Sequence, residues 1–397
     1  MMSSRAEIVI IGGGVIGCSI AYDLARQGVP SQIIERDAIA ARASGKAWAI
    51  WSYPPMYLLT EGLPPDDIYS MPEGSVRPWL ELFWLGYHQL PDTALDLKET
   101  GGINIGYGEL SDIMVAFSED EEKDGRKSLA LLESEGYYEG SWLEADEIRA
   151  IFPDVNPQAR GGLKFPNFQV EPYQYTLGLA QAAEKRGASI RQGEVVGFRH
   201  KGSRVTSVIL ATGTEVETDV VVLAMGPWGG QGTSWLGKEI PIMVNREQCL
   251  KVEVPQPLPP CILADEAVAI IPKVDGSVIL GNISETDLQP GFDSSLTEEA
   301  KVRILDGAIN LLPTLEEARL VEHRGDLEGW PPPPNRIQPV LGRLPEWDNA
   351  YIAARLGTLG MMISLGVGQL MADLIVRGGH LPNRVKTMME TLSPARL

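Results

Sequence analysis

A mixed α/β chain is predicted, in which a parallel-sheet domain is interrupted twice by a second domain built on an antiparallel sheet. Three observations predict it. A strand, glycine turn, helix and second strand follow one another over residues 7–35. A fully apolar strand ending in glycine returns at Thr218–Gly226. Between 239 and 283 the pattern alternates and is rich in proline, as short antiparallel strands would be. At 397 residues the chain is longer than one core usually supports, so two domains are expected.

The elements follow in order. Ile8–Ile11 reads as a buried parallel strand, Val15–Gln27 as a helix stopped by Gly28, and Gln32–Glu35 as the next strand. Gly12, Gly14 and Gly17 form G-x-G-x-x-G between the first strand and the helix. Such glycines let the backbone turn tightly and approach a pyrophosphate, and the helix N-terminus offers unpaired N–H groups and partial positive charge. Glu35 stands eighteen positions after Gly17, where an acid accepts from the ribose hydroxyls of an adenosine and disfavours a 2′-phosphate. The unit therefore predicts dinucleotide binding.

Arg36 to Ala49 is a small-residue loop opening a helix, and 51–80, with two Pro-Pro pairs, reads as irregular. A helix is expected at Trp79–Leu90, a strand at Gly102–Tyr107 and a helix at Lys127–Glu135. The acidic run Ser118–Gly125 reads as a solvated loop or helix start. A helix at Tyr173–Arg186 leads to strands at Ser189–Arg191 and Glu194–Phe198 and a hairpin of Val205–Ala211 with Glu215–Val216. Antiparallel strands are expected at Ile240–Val244, Gln248–Val254, Ala267–Pro272 and Val278–Asn282, then a helix at Glu298–Leu311. Pro331–Pro334 reads as polyproline, Tyr351–Ala354 as a strand, and Gly360–Val376 as a helix ended by Gly378-Gly379.

Composition narrows the function. The formal net charge of −19 weighs against nucleic acid and anionic membranes as partners, since both need a basic face. No run of apolar residues is long enough to span a bilayer. Cys18, Cys249 and Cys261 lack close partners in sequence, which suits a reducing cytoplasm. His88, His200, His323 and His380 show no metal-ligand spacing.

Several stretches resemble the D-amino-acid oxidase family of FAD-dependent oxidoreductases, a group that includes glycine and sarcosine oxidases. Residues 7–49 carry the strongest likeness. Ser44-Gly45-Lys46-Ala47 resembles the family's second conserved loop, Val220–Trp228 the strand closing the FAD site, and Val195-Val196 the valine beside the adenine. Gly342 and Ala354–Met362 resemble the C-terminal flavin loop, a glycine-rich turn opening a long helix. The likeness implies a Rossmann-type FAD-binding domain of residues 1–85, 155–232 and 326–397. A discontinuous substrate domain would comprise 86–154 and 233–325. The motif and the likeness together place FAD against Gly12, Gly14, Val15, Ile16, Glu35, Arg36, Arg42, Ser44, Gly45, Lys46, Val196, Gly226, Trp228, Gly357, Leu359, Gly360, Met361 and Met362. No cysteine lies in the C-terminal loop, so FAD is expected to be non-covalent.

The family's carboxylate-binding arginine has no counterpart: Gly329-Trp330 is followed by Pro331. Arg355-Leu356 stands where relatives have Gly-His, and an aliphatic residue near Ile279 replaces the lysine that activates dioxygen in sarcosine oxidases. Arg355, Arg246 and Lys46 are then the leading candidates for holding a substrate carboxylate, with Lys273 and Arg324 behind them. Tyr53, Tyr57 and Trp330 are candidate pocket walls, and His323 a less favoured base. The expected reaction is oxidation of a small amine or amino acid to an imine by hydride transfer to flavin. Dioxygen or a carrier protein would accept the electrons, and the partners expected besides the substrate are an electron-acceptor protein or further copies in an oligomer. The alternatives are a 2-hydroxy-acid or polyol-phosphate dehydrogenase, or a flavin-binding subunit of a larger oxidase complex.

Overall fold

The computed structural model describes residues 4–53, 77–134, 136–282, 287–288, 291–332, 339–378 and 383–397. Its strands begin with β1 (Ser4–Ile11), β2 (Gln32–Glu35), β3 (Ile50–Ser52), β4 (Gly108–Ala116), β5 (Ser141–Glu144) and β6 (Gly161–Gln169). Next come β7 (Ser189–Gln192), β8 (Val195–Lys201), β9 (Arg204–Leu210), β10 (Glu215–Leu223), β11 (Met243–Glu253) and β12 (Cys261–Ala264). Last are β13 (Val268–Pro272), β14 (Ser277–Asn282), β15 (Asp287–Leu288), β16 (Arg319–Trp330), β17 (Val340–Arg343) and β18 (Ala350–Ala354). The helices are α1 (Val15–Arg26), α2 (Ala43–Lys46), α3 (Arg77–Asp96), α4 (Glu119–Ser134) and α5 (Ala145–Ile151). They continue with α6 (Pro172–Lys185), α7 (Gly229–Ser234), α8 (Glu298–Leu311), α9 (Ser364–Arg377) and α10 (Asn383–Leu392).

The first sheet runs β17-β18-β10-β1-β2-β7, with the β8–β9 hairpin continuing from β10. β1 is parallel to β10 and β2, and β18 and β7 extend the parallel set. Val9 and Ile10 are fully buried because both faces are covered, which is why this strand reads as unbroken apolar sequence. Ile10 and Val222 pack under α1, α6 and α9, whereas Val9 and Val221 meet Val205, Val208 and Leu210. α1 and α9 approach closely at Gly368, where a Cβ would sit 2.6 Å from both Ser19 Oγ and Asp23 Oδ2.

The second sheet runs β15-β11-β14-β13-β12-β4-β6-β3, with β16 paired to β11 and β5 to β6. It is antiparallel except for β4 beside β12. Alternation sorts its faces. Ile113 and Val115 join Leu250, Leu263, Ile270 and Leu280 under α8. Leu110, Ile262, Ala264, Ala269 and Ile279 form the opposite face, which looks toward Trp48 and Ile50.

The strand–turn–helix–strand start agrees with expectation to within a residue at α1. The acidic run is a helix start: Ser118 Oγ accepts from Glu121 N–H, and Glu121 Oε2 accepts from Phe117 N–H. The strand expected at Gly102–Tyr107 is absent. Gly102 and Gly106 take φ of +73° and +65°, and pairing begins only at Gly108. The two strands expected at 240–254 are one, β11, of 11 residues. β6 and β16 were not expected. Pro166 argues against a strand in one, and charges on the cavity side hide the alternation of the other. Residues 161–169 thus lie in the second sheet, and β16 carries that sheet to residue 330, past the expected limit at 326. Tyr57, His380 and most of the expected irregular stretch and polyproline segment lie outside the described residues.

Candidate active site

Three cavities with shared walls run from the ends of β1 and β2 to the inner face of the second sheet. The first, about 140 Å³, is lined by Gly12, Gly14, Glu35, Arg36, Arg42, Ser44, Val195, Gly226 and Trp228 among others. Glu35 closes its polar end, accepting from Gly13 N–H at 2.6 Å and Asp37 N–H at 2.8 Å. The Arg36 guanidinium lies 4.1 Å above the Trp228 ring, and Phe292 stacks on that ring at 5.6 Å. Val195 lines this cavity and Val196 does not. Val196 is 45 % exposed because the side chains of β8 alternate.

The second cavity, about 130 Å³, lies at the N-terminus of α1 and is lined by Gly14, Val15, Ile16, Ser44, Gly226, Arg355, Gly357, Gly360 and Met361. Ser44 Oγ accepts from Val15 N–H at 2.9 Å, while helix geometry leaves the other first-turn N–H groups without partners inside the helix. Gly45 lines neither cavity. Its role is packing, since a Cβ there would meet Ala40 O at 2.1 Å. The glycine cradle, the acid at its far end and the helix terminus fit an adenine dinucleotide. These residues would hold its adenosine and pyrophosphate.

The third cavity is the largest, about 340 Å³. Lys46, Ala47 and Trp48, together with Thr358, Leu359, Met361 and Met362, form one wall, which would face the flavin. The opposite wall is the inner face of the second sheet, including Asp112, Met114, Glu247, Ile262, Ala269 and Glu328.

The cations near this cavity are engaged. Lys46 Nζ donates to Asp326 Oδ2 at 2.6 Å and to Gly325 O at 3.2 Å. Lys273 Nζ donates to the carbonyls of Trp48 at 3.0 Å and Val170 at 2.7 Å, and Arg324 Nη2 to that of Ala47 at 3.2 Å. Arg246 bonds Asp293 and Ser295, and Arg355 Nε donates to Pro241 O at 2.7 Å. Of the three leading cation candidates only Lys46 lines the large cavity, Arg355 facing the middle one and Arg246 lining none. Tyr53 packs against Trp84 and Phe165 instead of the cavity, Trp330 does line it, and His323 does not.

The acids are arranged otherwise, and sequence reasoning missed them. Asp112 is 7 % exposed, and its Oδ1 has no hydrogen-bond partner among the described residues. Glu247 Oε1 is likewise buried and unpartnered. Burial raises the Asp112 carboxyl to about 7, a hydrogen bond from Asn167 acting the other way. Burial also raises Glu328 to about 7, against the hydrogen bond from Trp330 Nε1 at 3.1 Å. Burial, then the nearby Glu328, hold Glu247 well above the usual range, with Arg303 opposing. Such shifts concentrate at functional sites. Only the recurrence of acids at 326 and 328, two apart on a strand, was available in the sequence as a signal.

A raised carboxyl stays protonated in the fold at a pH where the unfolded chain has released its proton. Its stabilising contribution is therefore full below about pH 4 and is lost as pH rises through about 7. The fall in denaturation free energy between pH 5 and 8 should accordingly be smaller in Asp112→Asn than in the parent. Equal pH slopes in chemical denaturation would contradict this assignment.

A Rossmann-type parallel sheet joined to an antiparallel sheet, with a partly open cavity between them, is the architecture of a flavoprotein oxidoreductase. Residues 7–374 match the family of FAD dependent oxidoreductases (DAO), and the chain belongs to it. It is 26 % identical over 381 residues to glycine oxidase of Geobacillus kaustophilus, covering 95 % of this chain and 94 % of that one. Glycine oxidase of Pseudomonas aeruginosa is 27 % identical over 377 residues, covering 94 % and 95 %. The crystal structure of the Geobacillus kaustophilus enzyme superposes with a TM-score of 0.85 at 24 % identity, covering 99 % of each chain. The expected fold class, the FAD dependence and the enzyme class all agree with these findings. No described helix is long and apolar enough to cross a membrane.

Proposed function

We propose that this protein oxidises the C–N bond of a small amine or amino acid, with FAD held non-covalently along the three cavities. The observation that carries the reading is the cavity between the Thr358–Met362 segment and the inner sheet face, sharing walls with the dinucleotide groove. Similarity to glycine oxidases supports it. Bound FAD would accept a hydride from the carbon beside the substrate nitrogen. The nitrogen loses a proton as C=N forms, and water then hydrolyses the imine.

The protein's part is to exclude water, hold the carbon in place and manage protons. Gly12, Gly14, Val15 and Ile16 shape the pyrophosphate seat, and Glu35 takes the ribose. Segment 357–361, at the approach to α9, offers backbone N–H groups and the positive end of the helix to negative charge. Lys46, Ala47 and Trp48 are tied to the second sheet by the bonds from Lys46, Lys273 and Arg324, which fixes the floor beneath the substrate. Glu328, raised to about 7 by burial and so partly ionised near neutral pH, can take a proton from an arriving ammonium, so that the amine reacts neutral. Dioxygen or a carrier protein reoxidises the cofactor, and the cytoplasm is the compartment in which we expect this.

Anaerobic titration of the purified holoenzyme should bleach the flavin absorbance with an amine and not with 2-hydroxy acids or polyol phosphates. Re-admitting air then distinguishes an oxidase from a dehydrogenase. Bleaching by hydroxy compounds alone would overturn the reading.

A further inference from the structure

Resting on that reading, we infer that the substrate is a dication, a diamine or oligoamine with an apolar chain between two positive ends. Asp112 binds one end and the Glu247–Glu328 pair the other. The inference starts from the distribution of charge around the large cavity. Its one lining cation among the described residues, Lys46, is neutralised by Asp326 at 2.6 Å. Arg324 and Lys273 point their donors at backbone carbonyls, and neither lines the cavity. A substrate carboxylate entering here would find no free cation among the described residues and three further carboxyl groups.

The acids, by contrast, have open acceptors. Asp112 is 7 % exposed with Oδ1 unpartnered, and Glu247 Oε1 is buried without a partner. A buried, unpartnered carboxylate oxygen costs free energy unless a donor arrives, and a ligand ammonium brings three. Among the described residues no group of three or more His, Cys, Asp or Glu side chains could hold a metal ion.

Placement gives the spacing of the charges. Asp112 lies on β4 and Glu247 on β11, with β12, β13 and β14 between them. The pairing register sets Lys251 level with Asp112, so Glu247 is also displaced four residues along β11, and the separation is about 23 Å along the sheet before its curvature shortens it. The lining between them is apolar: Met114 on β4, Ile262 and Ala264 on β12, and Ala269 on β13. An acid at each end of an apolar floor suits a chain of methylenes with a cation at each end. Trp330 completes the wall beside Glu328 and donates to it.

The test is anaerobic titration of the holoenzyme with 1,8-diaminooctane, spermidine and spermine, beside butylamine, octylamine, glycine, sarcosine and D-alanine. The expected result is bleaching by dications at concentrations at least about 10-fold below those needed for the monoamines or zwitterions. Asp112→Asn should raise the half-saturating concentration for dications about 10- to 100-fold while leaving that for octylamine within about 3-fold. Asp112→Glu should recover part of the loss. If Asp112→Asn fails to retain flavin, Asp112→Ser provides the same comparison. Bleaching by glycine, sarcosine or D-alanine with dications no better would overturn this inference and leave amine oxidation standing. Bleaching by no amine at all would overturn both.

Discussion

Gly12→Ala should abolish FAD binding and lower stability by about 2–5 kcal/mol. Two independent effects converge at this residue. Its φ of +112° is one that a side chain strains, and the added Cβ would sit 2.2 Å from the Ala224 carbonyl oxygen. That carbonyl belongs to the turn after β10, whose register with β1 is fixed by parallel pairing from Ser4↔Val216 to Ile11↔Leu223. Neither backbone can retreat without disturbing the pairing at the sheet's centre, so the turn that cradles the pyrophosphate must open. Gly28→Ala is the matched control. Its φ is +76° but nothing lies within 4 Å of the added carbon, so only the strain of roughly 1 kcal/mol should appear. Flavin absorbance after gel filtration and urea denaturation of both variants measure the difference. A flavin-loaded Gly12→Ala protein of parental stability would refute the geometry of the cradle.

The second large effect concerns the Lys46–Asp326 pair, and it is asymmetric. The Asp326 side chain is fully buried, whereas that of Lys46 is 36 % exposed. Lys46→Met removes the cation that ion-pairs with the buried carboxylate, leaving the Leu327 N–H bond at 2.9 Å and the longer-range field of Arg42 as its support. The expected loss is about 3–5 kcal/mol. Asp326→Asn leaves a lysine that can turn toward solvent, and should cost less, about 1–2 kcal/mol. Because Lys46 also lines the large cavity, Lys46→Met should change catalysis beyond what its stability loss explains. Urea midpoints measure the first effect and steady-state kinetics on the folded fraction the second. Equal destabilisation by the two substitutions would show that the pair is not buried from the aspartate side.

The dinucleotide half was legible because its constraints are local. Parallel strands buried on both faces must be apolar along their length, the tight turn requires Gly12, and the helix follows immediately. The segment Gly357–Met362, proposed to face the flavin, was legible for the same reason as a glycine-rich turn between a strand and a helix. β6 and β16 were not, because Pro166 and the charged positions of β16 break the pattern by which strands are read.

The sequence by itself determined the class of cofactor, since a strand–turn–helix unit ending in an acid needs nothing from the rest of the chain. It also supplied the cations, but not their occupation. Only the tertiary structure tied Lys46 to Asp326, turned Arg246 and Arg355 away from the large cavity, and carried Asp112 and Glu247 to its inner face. The physical reason is that a charged side chain's role depends on which partner the fold brings within hydrogen-bonding distance. For Lys46 and Asp326 that partner lies 280 residues along the chain.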